Sequence, residues 1–151
     1  MFRVLLLVAL VPALASATEF FACGGGRPLP TSVNIEGCPS GTCNLVRGSD
    51  VIAFIDFTAG KSRCSVDDHG CNRDGAGRHD DYPLGSNSAT CNFLQGSSCP
   101  LSAGEDVTYR LTMPILSIYP LVSLTIEIDV VDAAQQSVAC FSVNAQVVTA
   151  N

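Results

Sequence analysis

Met113-Pro-Ile-Leu-Ser-Ile-Tyr-Pro-Leu-Val-Ser-Leu-Thr-Ile-Glu-Ile-Asp-Val-Val-Asp132 is the stretch from which the fold can be read. Across residues 122–130 the even positions are Val122, Leu124, Ile126, Ile128 and Val130, and the odd ones are Ser123, Thr125, Glu127 and Asp129. Successive side chains of a strand point to opposite faces, so this alternation predicts a β-strand with one buried face. Just before it, Pro114 and Pro120 bracket Ile115, Leu116, Ile118 and Tyr119. Proline donates no ladder hydrogen bond, so the regular sheet is interrupted where four large apolar side chains arrive. Such a segment can line an apolar mouth or fill a core, and side-chain chemistry by itself favours the core.

Working outward, the same period recurs. Residues 107–113 place Val107, Tyr109, Leu111 and Met113 opposite Thr108, Arg110 and Thr112, and residues 139–147 place Ala139, Phe141, Val143, Ala145 and Val147 opposite Ser142, Asn144 and Gln146. Val33 and Ile35 alternate with polar neighbours over 31–37, and 19–22 is a short candidate strand broken by Gly24-Gly25-Gly26. Residues 50–58 carry Val51, Ala53, Ile55 and Phe57 on one face and Ile52 and Phe54 on the other, which predicts a strand central to its sheet. No segment has a helical period. Six or seven strands separated by Gly, Pro and Ser turns imply an all-β chain folded as an antiparallel β-sandwich.

The chain opens with Arg3, an apolar run over 4–14 and Ala15-Ser16-Ala17, the pattern of a secretory leader. Residues 1–17 are therefore expected to be removed, leaving one domain over 18–151. Loss of the leader takes away Arg3 and no acid, so seven basic face fourteen acidic side chains, a net charge of −7. That balance disfavours nucleic acid and anionic lipid surfaces as partners. No run after the leader reaches about 18 uncharged apolar residues, so the mature chain is not expected to be an integral membrane protein. Eight cysteines in a secreted chain predict four disulfides, but they allow about a hundred connectivities and their spacing does not choose among them. The close pair Cys38 and Cys43, around Pro39-Ser40-Gly41, reads as a local bridge, and Cys91 to Cys99 closes another short loop.

Residues 60–81 break the pattern with five acids, four bases, both histidines and four glycines. This reads as a polar loop, although a structureless connection of about 20 residues is uncommon within a compact domain. Cys64, His69, Cys71 and His79 can be drawn as a zinc site, yet the Cys-x4-His-x-Cys-x7-His spacing fits no familiar finger and the compartment favours a disulfide. Asp67, Asp68, Asn72 and Asp74 lack the order of a calcium loop. No Gly-x-Ser-x-Gly elbow is present, and Glu127 and Asp129 read as solvated carboxylates on the polar strand face. Neither catalysis, a metal nor a cofactor is expected.

Taken with the cysteine frame, the opening stretch resembles the ML-domain family of secreted lipid-binding proteins, in its Niemann-Pick C2 type. The residues that carry the resemblance are Phe21-Ala-Cys23-Gly, Val33-Asn-Ile-Glu-Gly-Cys38-Pro, Cys43-Asn-Leu-Val-Arg-Gly48, Cys99-Pro-Leu-Ser-Ala-Gly104, Met113-Pro-Ile, Tyr119-Pro120 and Val138-Ala-Cys140-Phe-Ser-Val. The resemblance implies an immunoglobulin-like sandwich with a lipid cavity between its sheets, and pairing of Cys23 with Cys140, Cys38 with Cys43 and Cys91 with Cys99. It further implies a sterol tunnel whose mouth is lined by Tyr82, Ile115, Tyr119 and Pro120.

The expected function is thus a secreted or lysosomal monomeric carrier of sterol or another hydrophobic lipid, delivering to a membrane or a lipid-receiving membrane protein. Alternatives are a recognition module that presents lipid to a receptor, a semiochemical or fatty-acid carrier, and a purely structural extracellular sandwich. A co-factor role for lipopolysaccharide needs cationic groups at the rim, against which the net charge of −7 argues. One departure stands out: the family carries an apolar strand where this chain has residues 61–81. Either Cys64 and Cys71 form a fourth disulfide pinning a polar loop, or a compensated reading-frame shift has replaced that strand and both cysteines are foreign to the authentic protein.

Overall fold

The structure, a computed structural model, describes residues 18–60, 82 and 84–150. The expected leader and residues 61–81, with Cys64, Cys71 and both histidines, lie outside the described residues, as do both readings of that stretch. Eight strands are described: β1 Phe21–Ala22, β2 Ser32–Ile35, β3 Cys43–Val46, β4 Asp50–Thr58, β5 Leu94–Gln95, β6 Asp106–Pro114, β7 Ser123–Val131 and β8 Ser137–Val148. Two short 3-10 turns, Gly85–Ser88 and Thr90–Phe93, precede β5.

One sheet runs β2-β4-β6-β5 and is antiparallel throughout. β4 lies between β2 and β6, as its two apolar faces lead one to expect. The other sheet is built on β8. β7 pairs antiparallel along β8 from Ser123↔Gln146 to Val130↔Ala139. That occupies one edge, so β1 (Ala22↔Phe141) and β3 (Cys43↔Ala145 to Val46↔Val148) share the other, and β3 runs parallel to β8. The parallel pair follows from the crossing between sheets: the Cys38–Cys43 turn carries the chain from β2 in one sheet to β3 in the other.

Inward positions meet as the period-2 pattern requires. Ala53, Ile55 and Phe57 of β4 and Val107, Tyr109, Leu111 and Met113 of β6 are buried against Ala139, Phe141, Val143, Ala145 and Val147 of β8. The buried hydroxyl of Thr18 has its bonding satisfied, donating to the Cys38 carbonyl (2.8 Å) and accepting from the Ile35 N–H (2.8 Å). β7 departs from expectation. Of its inward face Val130 is buried at 3 % exposure, Ile126 and Ile128 are half-buried, and Leu124 at 40 % and the preceding Val122 at 42 % lie open. The face is apolar along its whole length, but its burial falls away steadily from Val130 toward Val122.

Among the described residues three disulfides are present, Cys23–Cys140, Cys38–Cys43 and Cys91–Cys99. The first joins residues 117 positions apart and ties the end of β1 to β8, whereas the second spans five positions. In the chain-entropy model these separations correspond to about 5 and about 2 kcal/mol of restriction on the unfolded chain. Cys23→Ala/Cys140→Ala is therefore expected to lower unfolding free energy by more than twice as much as Cys38→Ala/Cys43→Ala, measured by urea denaturation. Equal losses would show that the long loop confers no entropic advantage.

Candidate functional site

Between the sheets lies a seam lined only by apolar side chains. Leu45 of β3, Ile126 and Ile128 of β7 and Val143 of β8 form one wall, and Ile35, Val51, Ala53, Leu111 and Met113 form the other, with Cys43 at the side. It holds about 340 Å³ of atom-free space, part of it open to solvent. The seam is narrow, so a bulky occupant has to spread the walls. With no acid, base or hydroxyl among its lining residues, it can exclude water from an apolar molecule but offers nothing to transfer a proton or attack a bond.

Val51 pairs with Met113 across β4 and β6, and the next pair is Asp50 with Pro114, so the seam runs toward the end of the sandwich where β6 leaves its sheet. The residues expected at the mouth gather at this end without belonging to the seam's own lining. Ile115 is buried at 3 % exposure and is held by two backbone bonds, its N–H to the Ser49 carbonyl (2.9 Å) and its carbonyl from the Gly48 N–H (2.6 Å). The Tyr82 hydroxyl donates to the Pro114 carbonyl. Tyr82 and Tyr119 meet edge to face with centroids 6.0 Å apart at 74°, a favoured geometry for two rings. Pro120 is exposed. Tyr82, Ile115 and Tyr119 thus form one cluster packed on the core, with Pro120 on its solvent side.

Sequence reasoning offered Leu116 and Ile118 as mouth or core, but missed Leu121 and expected Val122 and Leu124 on a buried face. Leu116, Ile118, Leu121, Val122 and Leu124 are exposed, Ile118 at 82 %, and form an apolar rim on the β6–β7 connection and the start of β7. One signal was available: no charged residue occurs between Arg110 and Glu127. The seam's lining was not marked as a site either, because its inward period is indistinguishable from that of an ordinary core. Glu127 and Asp129 are more than solvated carboxylates. They grip Arg27 at 2.7 and 3.1 Å, and Asp129 also accepts from the Ser137 hydroxyl at 2.5 Å. Glu127 lies beside Cys23 and Cys140, close enough for a three-donor metal group, but both sulfurs are committed to their disulfide.

Two sheets, an apolar interior and an open apolar end define a disulfide-stapled, immunoglobulin-like β-sandwich with an internal cavity. The chain belongs to the ML-domain family, whose profile matches residues 17–147. It is 31 % identical over 150 residues to NPC intracellular cholesterol transporter 2 homolog a of Drosophila melanogaster, covering 97 % of each chain. It is 26 % identical over 144 residues to NPC intracellular cholesterol transporter 2 of Sus scrofa (95 % and 93 % covered), and 30 % identical over 117 residues to the ecdysteroid-regulated 16 kDa protein of Manduca sexta (75 % and 77 %). In fold it matches a Niemann-Pick type C2 protein of the Japanese carpenter ant with a TM-score of 0.65 at 18 % identity, covering 86 % of this chain and 99 % of the other.

The Tyr82 phenol is pushed above its ordinary value of about 10, first by burial, then by its hydrogen-bonding and electrostatic interaction with Tyr119, and last by Asp50. A raised folded value favours the protonated phenol in the folded state. The contribution is intact below the unfolded pKa of about 10 and is lost as pH rises beyond it. Absorbance titration should show at least one of the three tyrosines ionising late, and unfolding midpoints should fall only above about pH 10. Tyr82→Phe should remove the late phenol; its persistence in that variant would count against the assignment.

Proposed function

We propose that this protein is a secreted carrier that holds a sterol-like lipid between its two sheets and passes it to a receiving membrane or membrane protein. The observation that carries the proposal is the wholly apolar seam ending at the Tyr82, Ile115 and Tyr119 cluster, with an exposed uncharged rim beside it. The names of the Drosophila and Sus scrofa relatives, both cholesterol transporters, point the same way. In this reading Tyr82, Ile115, Tyr119 and Pro120 line the tunnel mouth, residues 1–17 are the leader, and the mature domain acts as a monomer without catalysis in extracellular or lysosomal fluid. Among the described residues no helix is long and apolar enough to cross a membrane.

The energetics suit carriage. A lipid that buries about 300 Å² of apolar surface gains about 7 kcal/mol at about 25 cal/mol per Å², in the range of micromolar binding. Few of those contacts are directional, so the lipid can leave as the walls part.

Tyr119→Ser removes apolar wall and adds a competing hydroxyl, which should weaken fluorescent-sterol binding about 30-fold, or about 2 kcal/mol. If Tyr119 is instead only a core residue, the variant should lose about 3 to 5 kcal/mol of stability while its folded fraction keeps full affinity. Ile118→Asp, at an exposed position, should leave stability within about 0.5 kcal/mol but slow sterol transfer to vesicles. Native mass spectrometry after exposure to a lipid extract tests the carrier reading as a whole, and a consistently empty protein would overturn it.

A further inference from the structure

The basic side chains among the described residues are Arg27, Arg47 and Arg110. Arg27 is paired with Glu127 and Asp129, and Arg110 donates to the Thr112 hydroxyl at 3.0 Å. Arg47 has no such partner: its side chain is half-buried, and its Nε is fully buried without a hydrogen bond. Buried donors in native proteins are nearly always paired, and an unpaired charged donor is the costliest kind, so this atom calls for an acceptor.

Its position says where that acceptor would come from. Arg47 directly follows β3, whose Cys43 and Leu45 both line the seam, and continues their inward phase. Its own N–H bonds the Val148 carbonyl at 3.0 Å, and the next residue, Gly48, bonds the Ile115 carbonyl at 2.6 Å. Backbone bonding thus places Arg47 where the seam gives way to the Ile115 cluster. The facing connection contributes no charge, since residues 111–126 carry none. Asp50, exposed at the start of β4, is the nearest acid in sequence and makes no ion pair with Arg47.

We propose that Arg47 is the headgroup site of the cavity: it binds the oxyanion of an acidic amphiphile whose apolar body occupies the seam. The planar guanidinium can meet a carboxylate or a sulfate through two parallel N–H donors, and such a contact sharpens where dielectric is low. The proposal rests on the carrier reading and adds a ligand class to it, acids in preference to their neutral counterparts. A long-chain carboxylate and a sterol sulfate share this chemistry, and the experiment separates them.

The full chain, stripped of lipid, would be titrated with oleate, methyl oleate, cholesterol sulfate and cholesterol, as wild type, Arg47→Gln and Arg47→Lys. At least one acid should bind wild type ten-fold or more tighter than its neutral counterpart, and the acid that does so identifies the source. Arg47→Gln should erase that preference while leaving the neutral lipids within two-fold, and Arg47→Lys should restore part of it. Equal binding of acid and neutral forms by wild type, or a preference that survives Arg47→Gln, would overturn the proposal. Neutral lipid bound without acid preference defeats this inference alone, whereas failure to bind any of the four lipids defeats the carrier reading beneath it. The comparison within wild type stands even if Arg47→Gln does not fold.

Discussion

One strand holds half of the sandwich together. β7, β1 and β3 all bond to β8, and Cys140 within β8 carries the disulfide to Cys23. Phe141, at 0 % exposure, is the largest of the fully buried side chains and projects from the same strand. Because side chains alternate at every residue, a slip of one position along β8 would turn Phe141, Val143 and Val147 outward and present Ser142, Asn144 and Gln146 to the interior. The register of this single strand therefore fixes the whole inner wall. Its interruption between Val130 and Val131 falls beside the closed end of the sheet, away from the seam.

Protein interiors ordinarily pack as densely as organic crystals. Here β7 follows that rule at Val130 and abandons it toward Val122, where its apolar face is exposed. A sequence selected only for stability would place polar residues on the open part of that face or fill it from the other sheet. Leaving Leu124 and Val122 apolar and uncovered forgoes burial that neighbouring positions obtain, the kind of sacrifice expected where binding needs room to open. The Cys23–Cys140 staple lies on the half of β8 away from this end, so the covalent constraint and the open seam occupy different ends of the layer.

The long strands were legible because their period runs unbroken for nine residues or more. β4 begins and ends where its pattern does, and the inward residues expected for β6 and β8 are the buried ones. β3 and β5 escaped notice since the cysteines, glycines and serines around Cys43–Val46 and Leu94–Gln95 read as turn and loop. Cys38–Cys43 was legible as a local bridge from its spacing, whereas the pairing of Cys23 with Cys140 came through family resemblance. For the candidate site, the bracketed apolar residues between Pro114 and Pro120 were visible as a unit, but not that Ile115 packs inward while Ile118 stands in solvent. Alternation reports which side of a strand a residue lies on; it does not report how far away the opposite sheet is. Nor could it show that Arg27, 102 positions from Asp129, would neutralise the two carboxylates of β7.

The distribution of charge follows the same division. Asp56 accepts from the Ser32 and Thr108 hydroxyls at 2.5 Å, linking neighbouring strands on the outer face of one sheet, and Glu127 and Asp129 do so with Arg27 on the other. The acids thus tie strands together where water still reaches them, and their excess over the bases gives the molecule a negative field that keeps like copies apart. The rim between Arg110 and Glu127 bears no charge. A surface of this kind meets little electrostatic opposition from an uncharged apolar partner. The polar exterior and the neutral rim are therefore complementary parts of one arrangement: the first keeps the protein dispersed, and the second leaves a single end on which apolar contact is unobstructed.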